Sequence, residues 1–142
     1  MPDFSGEDEV YDYLKFKLAE AGYRILGVKV GLGKLSPDID ILLEVGGERV
    51  GIEVKYLCRK PLRVYEGIGE ALALLLHGVD RAYLLHVFDS SVEEAGRIAE
   101  ACAQLIRLTP LGYMMMLGRS APTILVEARR NPLQAKAPRG KL

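Results

Sequence analysis

Asp38-Ile39-Asp40-Ile41-Leu42-Leu43-Glu44-Val45-Gly46-Gly47-Glu48-Arg49-Val50-Gly51-Ile52-Glu53-Val54-Lys55 is the stretch that decides how this chain folds. Ile39, Ile41, Leu43 and Val45 alternate with Asp38, Asp40, Leu42 and Glu44; Val50, Ile52 and Val54 alternate with Arg49, Gly51, Glu53 and Lys55. Period-two patterning on both sides of a Gly-Gly pair marks a β-hairpin. With Gly46-Gly47 as a two-residue turn, Val45 faces Glu48, Leu43 faces Val50 and Ile41 faces Ile52. The same register sets Asp40 opposite Glu53 and Asp38 opposite Lys55. One face of the hairpin is then apolar, and the other gathers three acids and a lysine.

Ahead of the hairpin, Val10, Leu14, Leu18 and Ala21 recur at helical spacing, with Ser5 as N-cap, acids at Glu7, Asp8 and Glu9, and Gly22 as the stop. Residues 23–30 read as a strand, followed by a Gly31-Leu32-Gly33 loop. Behind the hairpin come a basic loop with Arg59, Lys60, Pro61 and Arg63, a helix over 65–77 and a buried strand over 81–88. A helix over 91–108, capped by Ser90 or Ser91, precedes two last strands, 113–117 and 123–128. The order predicts one α/β domain over 1–130, with a mixed central sheet flanked by helices and a C-terminal helix and β-hairpin. Residues 131–142, with Lys136, Arg139 and Lys141, read as a basic, flexible tail.

Composition narrows the function. The 142 residues are 49% hydrophobic and 27% charged, a globular balance for one core. A formal net charge of zero argues against a protein that coats nucleic acid non-specifically, while leaving room for a carboxylate-rich centre ringed by basic residues. No apolar run reaches membrane-spanning length and no export signal opens the chain, so a cytoplasmic protein with reduced Cys58 and Cys102 is expected. Asn131 is the only asparagine, and Gln104 and Gln134 the only glutamines, a scarcity that points to a thermophilic source. His77 and His86 lack a partner pattern and read as structural, as does the Met114-Met115-Met116 run.

Carboxylates crowded on one face raise each other's proton affinity and call for a compensating cation. Lys55 offers one charge, and a divalent ion would supply the rest; oxygen donors suit Mg2+ or Mn2+, and no Cys/His cluster offers a zinc site. Simple cross-strand ion pairs on a solvated face are the alternative.

Ser36-Pro37-Asp38-Ile39-Asp40 followed by Ile52-Glu53-Val54-Lys55 resembles the signature of the PD-(D/E)XK nuclease superfamily, in the style of archaeal Holliday-junction resolvases and RecB-like nucleases. The resemblance covers roughly residues 7–88 and implies a restriction-endonuclease-like αβββαβ core. It further implies a metal-dependent endonuclease acting on DNA. Asp40, with Asp38 beside it, Glu53 and either Glu7 or Glu9 would hold the metal. Lys55 would orient the attacking water, supported by Glu70 or Tyr65, and Arg59, Lys60 and Arg63 would meet the DNA backbone. Enzymes of this kind generally act as homodimers, for which residues 111–117 offer an aliphatic interface. The same fold with its activity lost, serving as a nucleic-acid-binding or assembly subunit, is the alternative function.

Overall fold

The computed structural model describes residues 2–31, 38–59 and 65–134. Helix α1 (Glu7–Glu20) leads into strands β1 (Arg24–Val30), β2 (Ile39–Val45) and β3 (Glu48–Leu57). Helix α2 (Ile68–Leu74), continued by a 3-10 turn (Leu75–His77), joins β3 to β4 (Arg81–Phe88). Helix α3 (Ala95–Ile106), β5 (Gly112–Leu117) and β6 (Thr123–Val126) complete the fold. The six strands form one sheet in chain order, antiparallel except for the parallel β3–β4 and β4–β5 pairs. This is the mixed α/β architecture expected from the sequence: the αβββαβ succession, followed by a helix and an antiparallel strand pair.

Local chemistry accounts for the elements. Gly46 and Gly47 both adopt left-handed backbone angles (φ 57° and 82°), which a two-residue hairpin turn demands. The register that follows, Val45↔Glu48, Leu43↔Val50 and Ile41↔Ile52, is the expected one. At the end of α1, Gly22 (φ 94°) lets its own amide and that of Tyr23 reach back to the carbonyls of Ala19 and Leu18. Along α3, Ala95, Ala99, Cys102 and Ala103 form a buried stripe of small residues, ended by the larger Ile106, that faces the sheet.

Two apolar layers sandwich the sheet. Val10, Tyr11, Leu14 and Leu18 of α1 cover Ile41, Leu43, Val50, Ile52 and Val54 on one face. On the other, α2 and α3 cover Ile39, Leu42, Leu84 and Phe88. Strand β3 lies between β2 and β4, so its Glu53 is buried within the fold, while Arg49 at its start stays exposed.

Several expectations are corrected. The residue capping α1 is Gly6, and the Ser5 amide instead donates to Glu9 Oε1 at 2.6 Å. Ser90 and Ser91 do not cap α3, which starts four residues after Ser91 behind Glu94; their amides bond to the carboxylates of Asp3 and Asp89. Residues 111–117 are unsuited to a dimer interface. Strand β5 runs between β4 and β6, and Leu111, Tyr113, Met114 and Met116 are buried, leaving Leu117 exposed. Asn131, where a flexible tail was expected to begin, is wholly buried. Its Nδ2 donates to the carbonyls of Leu75 and Val79, each at 2.8 Å, and Gln134 Nε2 reaches Gly78 O. The remaining tail, 135–142, lies outside the described residues. Both cysteines are free. Among the described residues no helix is long and apolar enough to cross a membrane.

Gly112 marks where β5 passes closest to its neighbours. A β-carbon there would run into the Tyr83 ring and lie 2.7 Å from the Ala128 amide nitrogen. G112A is expected to lower stability by about 1–3 kcal/mol through overpacking, seen as a reduced urea midpoint with an unchanged slope.

Candidate active site

The site forms where the sheet splits. Paired residues of β2 and β3 end at Ile41↔Ile52, while β2 stays with β1 as far as Val30↔Ile39 and β3 stays with β4 as far as Leu57↔Phe88. Ile41 packs beneath α1 but Ile39 packs beneath α2. Residues two apart share a face in a regular strand, so β2 turns about Asp40. The Asp40 carboxylate enters the split, and its Oδ2 accepts the Val54 N–H at 2.8 Å. A buried amide needs an acceptor, and here a side chain replaces the backbone of the neighbouring strand. The ladder pairs Asp40–Glu53 and Asp38–Lys55 expected from the sequence therefore do not form.

From β3, Glu53 and Lys55 project toward α2. Glu53 is only 4% exposed and Asp40 8%. Lys55 Nζ stands 3.6 Å from Glu53 Oε2 and 2.9 Å from Glu70 Oε2. Gly67, at φ 87°, makes this possible. A β-carbon there would sit 2.9 Å from Lys55 Cγ and from Leu84 Cδ1, so only glycine lets the start of α2 rest on the lysine stem. The preceding carbonyl, of Glu66, is held at 2.7 Å by Nε2 of His86, the β4 register partner of Lys55. A carbonyl only accepts, so Nε2 carries the proton and Nδ1 takes the Tyr113 hydroxyl hydrogen at 2.8 Å. Burial holds His86 below its usual pKa, keeping it a neutral strut.

Helix α1 closes the other side. Its Tyr11 hydroxyl lies 3.3 Å from Glu7 Oε1 and also meets the Asp40 carboxylate. Glu9 is engaged elsewhere, by the Ser5 amide and by Arg119 at 2.9 Å. Of the two glutamates the sequence offered, Glu7 is thus the one beside the centre.

Burial pushes the Glu53 carboxyl up to about 8, reinforced by the charges of Asp40 and Glu70 and partly countered by Lys55. Asp40 is raised too, chiefly by burial and further by Glu7, against the Val54 N–H, the Tyr11 hydroxyl and Lys55. Burial pulls Lys55 down, but its hydrogen bond to Glu70 and the charges of Glu70, Glu53 and Glu7 outweigh that, leaving it above its ordinary value. It is an ammonium near neutral pH. Two buried carboxyls of high proton affinity will take up a proton or a cation, and their oxygens are the hard donors that Mg2+ or Mn2+ prefers. Among the described residues no three His, Cys, Asp or Glu side chains are gathered into a metal cage. A cation here would complete its shell with water or phosphate oxygens, as magnesium commonly does.

The other expected residues are more dispersed. Asp38 is exposed just before β2, Tyr65 is 60% exposed on the turn before α2, and Arg59 is exposed beyond β3. Lys60 and Arg63 lie outside the described residues.

Lys29 was missed in the sequence. Its neighbours pair as Val28↔Ile41 and Val30↔Ile39, which sets it beside Asp40. It is the one non-glycine with a left-handed backbone among the described residues (φ 57°), a conformation that costs about 1–2 kcal/mol for an L-residue. Its ammonium lies 5.3 Å from the Tyr11 ring centre and 3.4 Å from Asp8 Oδ1. The available signal was Gly27: glycine inside a strand often marks a bulge, and the register does shift there.

Neither the protein-family models nor the curated proteins give a match to this chain. Among solved structures, Pyrococcus furiosus SfsA in complex with Ca2+ is matched at 14% identity and a TM-score of 0.42, over 87% of this chain and 62% of that one. The chain thus spans less than two thirds of that protein's length.

The raised carboxyls set the pH dependence of stability. Unfolding releases Glu53 to its ordinary value of 4.5, so the unfolded state loses its proton first as pH rises. The contribution of neutral Glu53 is full below about 4.5 and is lost as pH climbs through about 8; Asp40 acts in the same sense. In metal-free protein E53Q should therefore gain stability relative to wild type between pH 5 and pH 8.5, compared by urea midpoints at each pH. A difference that does not change with pH would contradict this.

Proposed function

We propose that this protein is a Mg2+- or Mn2+-dependent nuclease that hydrolyses DNA phosphodiester bonds at the centre formed by Asp40, Glu53 and Lys55. The observation that supports it most is the meeting, at the split of the sheet, of two buried carboxyls of raised proton affinity with a lysine that stays charged. With the ion bound, Asp40 and Glu53, joined by Glu7 or Asp38, would be its protein ligands, and the ion would supply the charge that polarises the phosphate and acidifies a water.

Hydrolysis adds water across a phosphorus–oxygen bond: one oxygen attacks phosphorus, the bond to the leaving sugar oxygen breaks, and that oxygen takes up a proton. As an ammonium, Lys55 donates and cannot act as the base, so its task is to hold the attacking water and stabilise charge growing on the phosphate oxygens. Glu70 keeps its Nζ in place at 2.9 Å, as Gly67 and His86 keep the helix against its stem. Tyr11 sets the spacing between Glu7 and Asp40. Arg59, with Lys60 and Arg63, would contact the DNA backbone.

Cleavage of labelled duplex, single-strand, flap and four-way-junction DNA with Mg2+, Mn2+ or EDTA tests this. Wild type should cut only with metal, and K55A should cut about 100- to 1,000-fold more slowly while remaining folded. Binding without cleavage under every metal condition would make the chain an inactive binding subunit; neither binding nor cleavage would rule out both functions.

A further inference from the structure

We propose that Lys29 is a phosphate contact at the mouth of this centre, placed there by a distortion of β1; this rests on the nuclease function above. The pairs Arg24↔Glu44 and Ile25↔Leu43, if continued, would bring Val28 alongside Asp40. The register shifts by one residue between Ile25 and Gly27, and Lys29 takes that place instead. Gly27 makes the bulge possible, since a β-carbon there would lie 2.5 Å from Val30 Cγ2. Bulges often re-aim a side chain beside a functional site, and a strained non-glycine backbone persists where the surroundings impose it.

The ammonium of Lys29 over the Tyr11 ring, at 5.3 Å, and its pair with Asp8 are exposed contacts that do little more than offset the strain of its backbone. Its ion pair joins side chains that are 54% and 89% exposed, a kind worth little in water. An anion approaching this centre needs a free cation, and Lys55 is already shared between Glu53 and Glu70. Lys29, whose backbone stands beside Asp40 in the register, can leave its partner, Asp8, without uncovering a buried charge. Its ligand is a phosphodiester oxygen of the nucleic-acid backbone, bound without regard to sequence.

The test is binding of fluorescein-labelled duplex DNA in EDTA, followed by anisotropy across a salt series, with a thermal melt of each variant. K29G should lower affinity about 3- to 10-fold at low salt and reduce the slope of log affinity against log salt by about 0.9, the share of one phosphate contact. Its melting temperature should equal or exceed that of wild type, because glycine fits φ 57° without strain. K29R should keep both affinity and slope. Wild-type affinity and slope in K29G would overturn the assignment, as would an affinity loss accompanied by a lower melting temperature. Wild type that cuts DNA while K29G binds as well as it does sinks only Lys29's role; wild type that neither binds nor cuts DNA sinks the nuclease function too.

Discussion

The hydrogen bond from the Val54 amide to the Asp40 carboxylate is the constraint on which the rest of the centre depends. It lets the β2–β3 ladder end in the interior without an orphaned amide. It also fixes an acid in a place that water barely reaches. Burial keeps Glu53 on the adjacent strand from ionising cheaply, the charge of Asp40 adds to that, and the pair acquires its demand for a proton or a cation. Isolated on a solvated hairpin, the same residues would be ordinary surface charges.

Both faces of the sheet converge on this split. From one side α1 delivers Tyr11 and Glu7; from the other α2 delivers Glu70. The α2 side is tightly specified, because Gly67 admits the helix onto the Lys55 stem and the neutral His86 ties the turn that precedes it to Tyr113 on β5. The parallel β3–β4–β5 core thus acts as a rigid base that sets the lysine's position through contacts well removed from its ammonium. Strand β1 contributes in the opposite way, through a bulge and a strained lysine at an exposed edge.

The hydrophobic pattern and turn chemistry were enough to read the hairpin, its register up to Ile41↔Ile52, the αβββαβ succession and the common face of Glu53 and Lys55. These depend on periods of two and 3.6 and on the backbone freedom of Gly46-Gly47, all local properties of the chain. What tertiary structure decided lies where local rules give way. Alternation would have continued the ladder to Asp40–Glu53; packing of Ile39 and Ile41 on opposite faces turned the strand instead. Only contacts distant in sequence separate Asp40 from Asp38, Glu7 from Glu9 and Glu70 from Tyr65: the Val54 amide, the grip of Arg119 and the seat at Gly67. Asn131 reads as the start of a tail and proves to be a buried bracket, because its acceptors belong to residues 75 and 79. Periodicity records which side of an element is apolar. It does not record which remote donor or acceptor meets a polar group, and those meetings shape this centre.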